Sequence, residues 1–221
     1  RDIADSNNFE LKKVEELIAE GVVSYFDGHG SPPSENKGNG DIPYIRVKDI
    51  VNWEIYKDPT SKIPNEVYES MTTRVTKDKK GDIIKTTRLK ELQEHDVLYV
   101  RRGSYRIGSV AMVSPFDINI LLTREINVLR VKQGNAYGLT AHYLLFALSH
   151  DIVKMQTANK VLIETTLPNI GDRWKQIYIP IPKDRQRLAE ISQQIKSVID
   201  LKWRALSEIA KIQRDLGNLT T

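Results

Sequence analysis

The sequence predicts an α+β fold: a globular domain with a curled, mainly antiparallel sheet and flanking helices, followed by one long coiled-coil-forming helix. Three observations carry that prediction. Four short β-rich runs crowd together, Val97-Leu98-Tyr99-Val100, Ile107 to Val113, Ile120-Leu121-Leu122 and Ile126 to Val131, parted by tight Gly, Ser and Asn breaks. Apolar residues recur at helical spacing from Phe9 to Ile18 and from Thr140 to Met155. After Ile179-Pro180-Ile181-Pro182, an uninterrupted helical pattern carries a seven-residue apolar repeat.

Taken in order, Phe9 to Ile18 reads as a helix, and Gly21 stands where a C-cap belongs. Val22 to Phe26 reads as a short strand. Residues 27–41 are rich in Gly, Ser, Pro and Asn, which supply the special backbone angles of a loop. Pro43 to Val47 alternates as a strand, and Pro64 to Met71 is a short helix with proline in its first turn. Residues 72–94 are dense in Thr and Lys and poor in large apolars, which predicts an exposed, twisted excursion. The four β runs follow. Thr140 is the expected N-cap of a helix to Met155 that turns Tyr143, Leu144, Phe146, Ala147 and Leu148 inward.

In the last segment, Leu188, Ile195, Lys202, Ile209 and Leu216 fall at one repeat position, and Ile191, Val198, Ala205, Ile212 and Leu219 at the other. A period of 3.5 residues keeps one seam toward a partner helix, so the segment is expected to pair rather than only roof a core. A helix over about 184–216 would be on the order of 50 Å long. Ile199, Leu206, Leu201 and Trp203 widen the apolar face beyond a two-stranded seam. The expected domains are 1–182, a globular domain, and 183–221, a long helix for pairing and dimerisation.

The chain has 221 residues, enough to bury a core, and a net charge of +4 that is unevenly spread: −6 over 1–70, +6 over 71–133 and +4 over 134–221. Cations concentrated in the middle third are an electrostatic footprint for phosphates or an ordinary solvated face; charge alone leaves both open. Cysteine is absent, which excludes disulfides, thiolate metal sites and cysteine nucleophiles, and points to an intracellular, cytoplasmic protein. No apolar run approaches the ~20 residues of a membrane helix. The first residue is Arg rather than Met, which points to a chain cut from something longer.

Catalytic constellations are not found. Ser31-Pro32-Pro33-Ser34 has the prolines of an adenine methyltransferase motif but not the aromatic that stacks on a flipped base. His29, His95, His142 and His150 lack metal-ligand spacing, and no cofactor loop is present. No cofactor, no metal and no intrinsic enzymatic activity are expected.

Four ordered motifs resemble one family. They are Ile42-Pro43-Tyr44-Ile45-Arg46-Val47-Lys48-Asp49-Ile50; His95-Asp96-Val97-Leu98-Tyr99-Val100-Arg101-Arg102-Gly103-Ser104 with Ile107-Gly108; Thr166-Leu167-Pro168-Asn169-Ile170; and Ile179-Pro180-Ile181-Pro182 with the long helix. Together they resemble a target recognition domain of type I restriction–modification specificity subunits, or the similar domain fused behind N6-adenine DNA methyltransferases. His95 departs from the glycine usual there. The resemblance implies sequence-specific reading of one half-site of double-stranded DNA, with methylation or cleavage by an N6-adenine methyltransferase subunit or domain. It also implies a second long helix, from a homodimer or a paired recognition domain.

Two segments are the expected DNA contacts. Arg74, Lys77, Lys79, Lys80, Lys85 and Arg88 are interleaved with Thr73, Thr76, Thr86 and Thr87, offering cations to phosphates and hydroxyls to phosphates or base edges. Arg101, Arg102, Ser104, Tyr105 and Arg106 sit at a tight turn, where guanidinium groups can bind guanine bidentately. Arg46 and Lys48 are further candidates, with Lys48-Asp49 also readable as a surface pair. Leu188, Ile191, Ile195, Val198, Ile209 and Ile212 are the expected helix interface. The alternative from another class is a protein–protein adaptor that acts through its coiled coil and carries an incidental basic face.

Overall fold

The computed structural model describes residues 7–103, 105–162 and 168–219, with side chains through Leu216. Ser104 and the Thr166-Leu167 part of the third motif lie outside the described residues.

The chain opens with a strand, β1 (Phe9–Lys13), that runs into a short helix, α1 (Val14–Ala19). A single helix over this stretch was expected from its periodicity. Instead, β1 pairs antiparallel with a strand from far along the chain, Phe9 opposite Pro182 and Lys13 opposite Tyr178. A partner more than 160 residues away leaves no trace in local spacing, and its backbone bonds override a weak helical pattern. Where α1 begins, the Glu16 carboxylate accepts from the Lys13 amide at 2.6 Å. It ends where expected, at Gly21 with φ 68°. There the Val22 amide reaches back to the Leu17 carbonyl, closing a left-handed cap.

β2 (Val23–Asp27) then enters the body, and the polar loop leads to β3 (Ile42–Ile45). A tight hairpin follows, β4 (Ile50–Val51) and β5 (Glu54–Ile55), turning on Asn52 and Trp53, both at positive φ as a type I′ turn requires. β6 (Lys62–Ile63) and α2 (Asn65–Thr72) precede an exposed hairpin, β7 (Thr73–Lys77) and β8 (Ile83–Arg88), the expected excursion. Next come β9 (Val97–Val100), β10 (Val110–Met112), β11 (Leu121–Leu122) and β12 (Ile126–Val131).

Three of these four β runs join β2 in the central antiparallel sheet, in the order β10-β9-β12-β2. The third, β11, instead lies parallel to β3, with β6 on the far side of β3. The central sheet is buried on both faces, so β9 is apolar at every position. Val97, Tyr99, Met112 and Leu129 belong to one core, packed under helices. Leu98, Val100, Ala111 and Val128 belong to the other, together with Ile45, Ile50 and Leu122.

The helix expected over 140–155 is broken in two, α3 (Ala141–Ser149) and α4 (Asp151–Lys160). Thr140 caps α3 as expected, its hydroxyl accepting from the Tyr143 amide at 3.1 Å. The break falls at His150, whose extended backbone (φ −69°, ψ 142°) ends one helix and caps the next. β13 (Tyr178–Pro182) then launches α5 (Arg185–Leu219), 35 residues and about 52 Å at ~1.5 Å per residue.

The long helix has two halves. Leu188, Ser192 and Ile199 are buried in the body, with Ile191, Ile195 and Trp203 packed against its core. Leu188 is thus buried within this chain's own domain, and Ile191 and Ile195 are partly covered by it. Toward the C-terminal end Leu206, Ile209, Ile212 and Leu216 are exposed, and Val198 and Leu201 face solvent earlier along the rod. Lys202 marks the departure point: its ammonium donates to the Asn52 carbonyl at 2.6 Å and pairs with Glu54 at 3.0 Å. The polar residue that interrupts the heptad seam is thus an anchor to the β4–β5 hairpin.

Candidate nucleic-acid interface

The β7–β8 hairpin is held at its root and free beyond it. Arg88 donates to Glu69 of α2 at 3.0 Å and lies over the Tyr68 ring, while the Thr73 hydroxyl donates to the same Glu69 at 3.0 Å. Arg88 is thereby an anchoring group. At the tip, the Asp78 carboxylate accepts from the amides of Lys80 and Asp82 at 2.8 and 2.9 Å, and Gly81 supplies the positive φ the turn needs. Arg74, Lys77, Lys79, Lys80 and Lys85 have no carboxylate partner among the described residues; the hairpin's one ion pair there is Arg88–Glu69. Five of the six sequence-predicted cations thus lie on a protruding ribbon without a carboxylate partner among the described residues.

The second cluster occupies the connection between β9 and β10. Gly108 donates its amide to the Val100 carbonyl at 2.9 Å, folding residues 101–109 into a compact turn. Gly103, at φ 117°, is required twice over: a Cβ there would also stand 3.0 Å from Val47 Cγ2. The turn is braced from behind by the third motif, with Gly103 donating to the Pro168 carbonyl and Ile170 to the Arg101 carbonyl. Arg102 is exposed, and Tyr105 is 79% exposed with the Arg106 guanidinium over its ring at 5.1 Å. Arg101 is different. It pairs with Asp27 at 3.3 Å and donates to the Arg124 carbonyl, which makes it partly a brace for the turn.

Two cations not singled out from sequence link the clusters. Lys90, two residues beyond β8, donates to the Gly28 carbonyl at 2.9 Å. Burial lowers its pKa, opposed by Asp27 and reinforced by Arg124 and Arg101. A Cβ at Gly30 would meet both Met71 of α2 and the Arg124 guanidinium, so the hairpin root and Arg124 are neighbours. The path from β8 through Lys90, Gly28, Asp27 and Arg101 to Arg124 is continuous. Lys90 and Arg124 lie in short connections without any run of like residues, so only folding reveals their proximity.

Arg46 and Lys48 are placed elsewhere. Both contact Asp58, at 3.4 and 2.8 Å, and Arg46 Nε stands 3.9 Å from Asp49. The Lys48 ammonium and the Thr60 hydroxyl and amide hold the Asp58 carboxyl well below the ordinary carboxylate range. These two cations are paired within the chain and brace the 46–60 loop.

The histidines are structural. His29 accepts from the Leu122 amide, and burial pushes it down to about 4. His95, at φ 70°, puts its ring 4.9 Å from His142 and stacks on Trp203 of α5 at 5.5 Å. A glycine would relieve the backbone but lose both contacts. Among the described residues no group of three His, Cys, Asp or Glu could hold a metal ion, and no helix is long and apolar enough to cross a membrane. Where α5 leaves the body, an apolar groove of about 710 Å³ lies between the rod and the body, lined by Ile55, Phe116, Trp203, Leu206 and Ile209 among others.

Comparison with known proteins agrees with this architecture. A structure of the type I restriction–modification system S subunit from M. genitalium superposes on 96% of this chain and 44% of its own, with TM-score 0.54 and 14% identity. A chain from a structure addressing complex assembly and conformational transition of the type I R-M system matches over 95% of this chain and 44% of its own, with TM-score 0.50 and 18% identity. The HsdS subunit from Thermoanaerobacter tengcongensis covers 90% of this chain and 40% of its own, at TM-score 0.48 and 15% identity. The chain spans less than half the length of these subunits. A search of curated proteins finds no match. At the level of sequence, the family model described as the type I restriction modification DNA specificity domain matches residues 8–211, and the chain belongs to that family.

Proposed function

We propose that this chain reads one half-site of double-stranded DNA for a type I-like restriction–modification system and directs methylation or cleavage by associated N6-adenine methyltransferase and nuclease components. The observation that supports this most is the ribbon of five cations that nothing described in the chain neutralises, joined through Lys90 and Arg124 to the arginine turn. In this reading Arg74, Lys77, Lys79, Lys80 and Lys85 hold phosphates, which sets register without reading sequence. Arg102, Arg106 and Tyr105 approach base edges, where a guanidinium matches guanine O6 and N7. Arg101 keeps the turn in place while contributing charge, and Ser104 belongs to the same turn by sequence.

The outer half of α5 is the second part of the reading. Val198, Leu201, Leu206, Ile209 and Ile212 line the seam for a second long helix, from another copy or from a paired recognition domain. Each large aliphatic left in water forgoes about 1.5–3 kcal/mol of burial, so a partner accounts for the pattern better than solvent does.

The test is a fluorescence-anisotropy titration of a random-sequence 30-bp duplex over a salt series. Neutralising five phosphates gives a slope of log K against log salt of about −4.5. Changing Lys79 and Lys80 to Ala makes that slope shallower by about 2. Binding that is absent at low salt, or that does not weaken as salt rises, refutes the reading.

A further inference from the structure

The ribbon carries more than charge. Val75, Ile83 and Ile84 are 46%, 63% and 64% exposed on a two-stranded hairpin that no third strand joins among the described residues. Opposite residues of an antiparallel pair share a face, and faces alternate along each strand. Arg74 opposite Thr87 and Thr76 opposite Lys85 make one face cationic and hydroxylic. Thr73 opposite Arg88, Val75 opposite Thr86 and Lys77 opposite Ile83 make up the other face, where Val75 and Ile83 lie between two cations, and a register shift at Thr76/Lys77 leaves Ile84 without an opposite partner, as at a β-bulge. Bare isoleucines on a free ribbon invite strand addition and aggregation, so their exposure asks for an occupant.

The charge around them selects that occupant. Residues 73–88 hold six cations against two carboxylates, and the Asp78 carboxylate is turned inward on the tip amides. An apolar strip inside a cationic frame fits a surface that presents small apolar groups between rows of anions. The major groove of duplex DNA is such a surface: thymine C5-methyl groups lie on its floor and phosphates along both walls. Its width of about 12 Å admits a two-stranded ribbon, and β7 alone extends about 17 Å, enough to cross it.

We propose that the β7–β8 ribbon enters the major groove and that Val75, Ile83 and Ile84 contact thymine methyl groups, making them specificity-determining residues. This rests on the reading of the chain as a DNA-binding domain. The cations on the ribbon hold the walls, the isoleucines favour A·T pairs in one part of the site, and the arginine turn reads another part.

The experiment compares two 24-bp duplexes, alternating dA-dT and alternating dA-dU, which differ only in the methyl group. Affinities of the 221-residue chain are measured at 50 mM and 150 mM salt beside those of the Ile83→Ser/Ile84→Ser variant. Both substituted side chains are exposed, so thermal unfolding of the variant should match that of the parent. One buried methyl is worth about a four-fold change in affinity. The parent chain is expected to prefer dA-dT by about four-fold or more, and the variant to bind both duplexes alike at nearly unchanged salt dependence. Equal binding of both duplexes by the parent, or a methyl preference that survives in the variant, overturns the inference and leaves DNA binding standing. Failure to bind either duplex at 50 mM salt overturns the DNA reading itself.

Discussion

Truncating the long helix at buried and at exposed positions should give opposite results in two assays. Leu188 and Ile199 are 1% and 0% exposed, whereas Ile209 and Ile212 are 52% and 57% exposed. Removing a buried Leu or Ile side chain costs the transfer term and leaves a cavity, about 2–5 kcal/mol. Leu188→Ala and Ile199→Ala should each lose that much in urea denaturation followed by far-ultraviolet circular dichroism, at any protein concentration. Ile209→Ala/Ile212→Ala should change stability by under about 0.5 kcal/mol in dilute solution, where the outer rod has nothing to lose. In concentrated solution the parent chain gains stability by mass action if the outer seam pairs, and the double variant forgoes that gain. Equal costs at inner and outer positions would refute the division of α5 into a roof and a free rod. A concentration effect that persists in the outer double variant would refute pairing through Ile209 and Ile212.

Three further outcomes follow from the body. Asp96, 1% exposed, receives Arg130 Nε and Nη2 at 2.8 Å each, so a double-mutant cycle with Asp96→Ala and Arg130→Ala should give single losses of about 3–5 kcal/mol and a double loss well short of their sum; additivity within about 0.5 kcal/mol would contradict the pair. Asn127 is fully buried in β12, with neither side-chain nitrogen nor oxygen bonded among the described residues, so Asn127→Val should raise stability by about 1–3 kcal/mol in thermal unfolding, and a loss would show that the amide has a necessary partner. His29 and His142 are both lowered to about 4, chiefly by burial, so between pH 6.5 and 4 the unfolded chain binds more protons than the folded one and stability falls with falling pH. By pH 5 the loss should be about 2 kcal/mol per histidine, read as a falling Tm; a Tm constant from pH 7 to pH 5 would contradict neutral burial of these rings.

Much of the architecture was legible because it is local. Short β-rich runs parted by Gly, Ser and Asn breaks located β9, β10 and β12, the Thr140 hydroxyl and Gly21 marked helix ends, and the Thr/Lys-rich stretch was exposed as its composition required. What was misread depends on distant partners. Phe9 to Lys13 is a strand because β13 lies beside it, and the pattern at 140–155 hides a break that one histidine creates through its backbone. Heptad spacing found a helix with two apolar duties but could not tell an intrachain core from an intermolecular seam, since Leu188 and Ile209 obey the same repeat. At the candidate interface, clustered cations were visible in sequence. Their fates were not: Asp58 pairs with Arg46 and Lys48, Glu69 engages Arg88, and Lys90 and Arg124 join the face only through folding.

The His95 substitution for the usual glycine also gains a physical reading. Its left-handed backbone costs about 1 kcal/mol, and its ring bridges His142 and Trp203, tying the body to the helix at the point where the rod departs. The angle between body and rod is thereby fixed by side-chain packing as well as by the Lys202 anchor.

The most direct test of DNA reading is selection from a random duplex pool, followed by sequencing of the bound fraction, for the parent chain and two double variants. The parent should enrich one short defined half-site. Arg102→Ala/Arg106→Ala should lose information at part of that site, and Lys79→Ala/Lys80→Ala should recover the same site at lower affinity. Enrichment of no sequence by the parent, or an identical site at full selectivity from the arginine variant, would contradict the assignment of the turn as the reader.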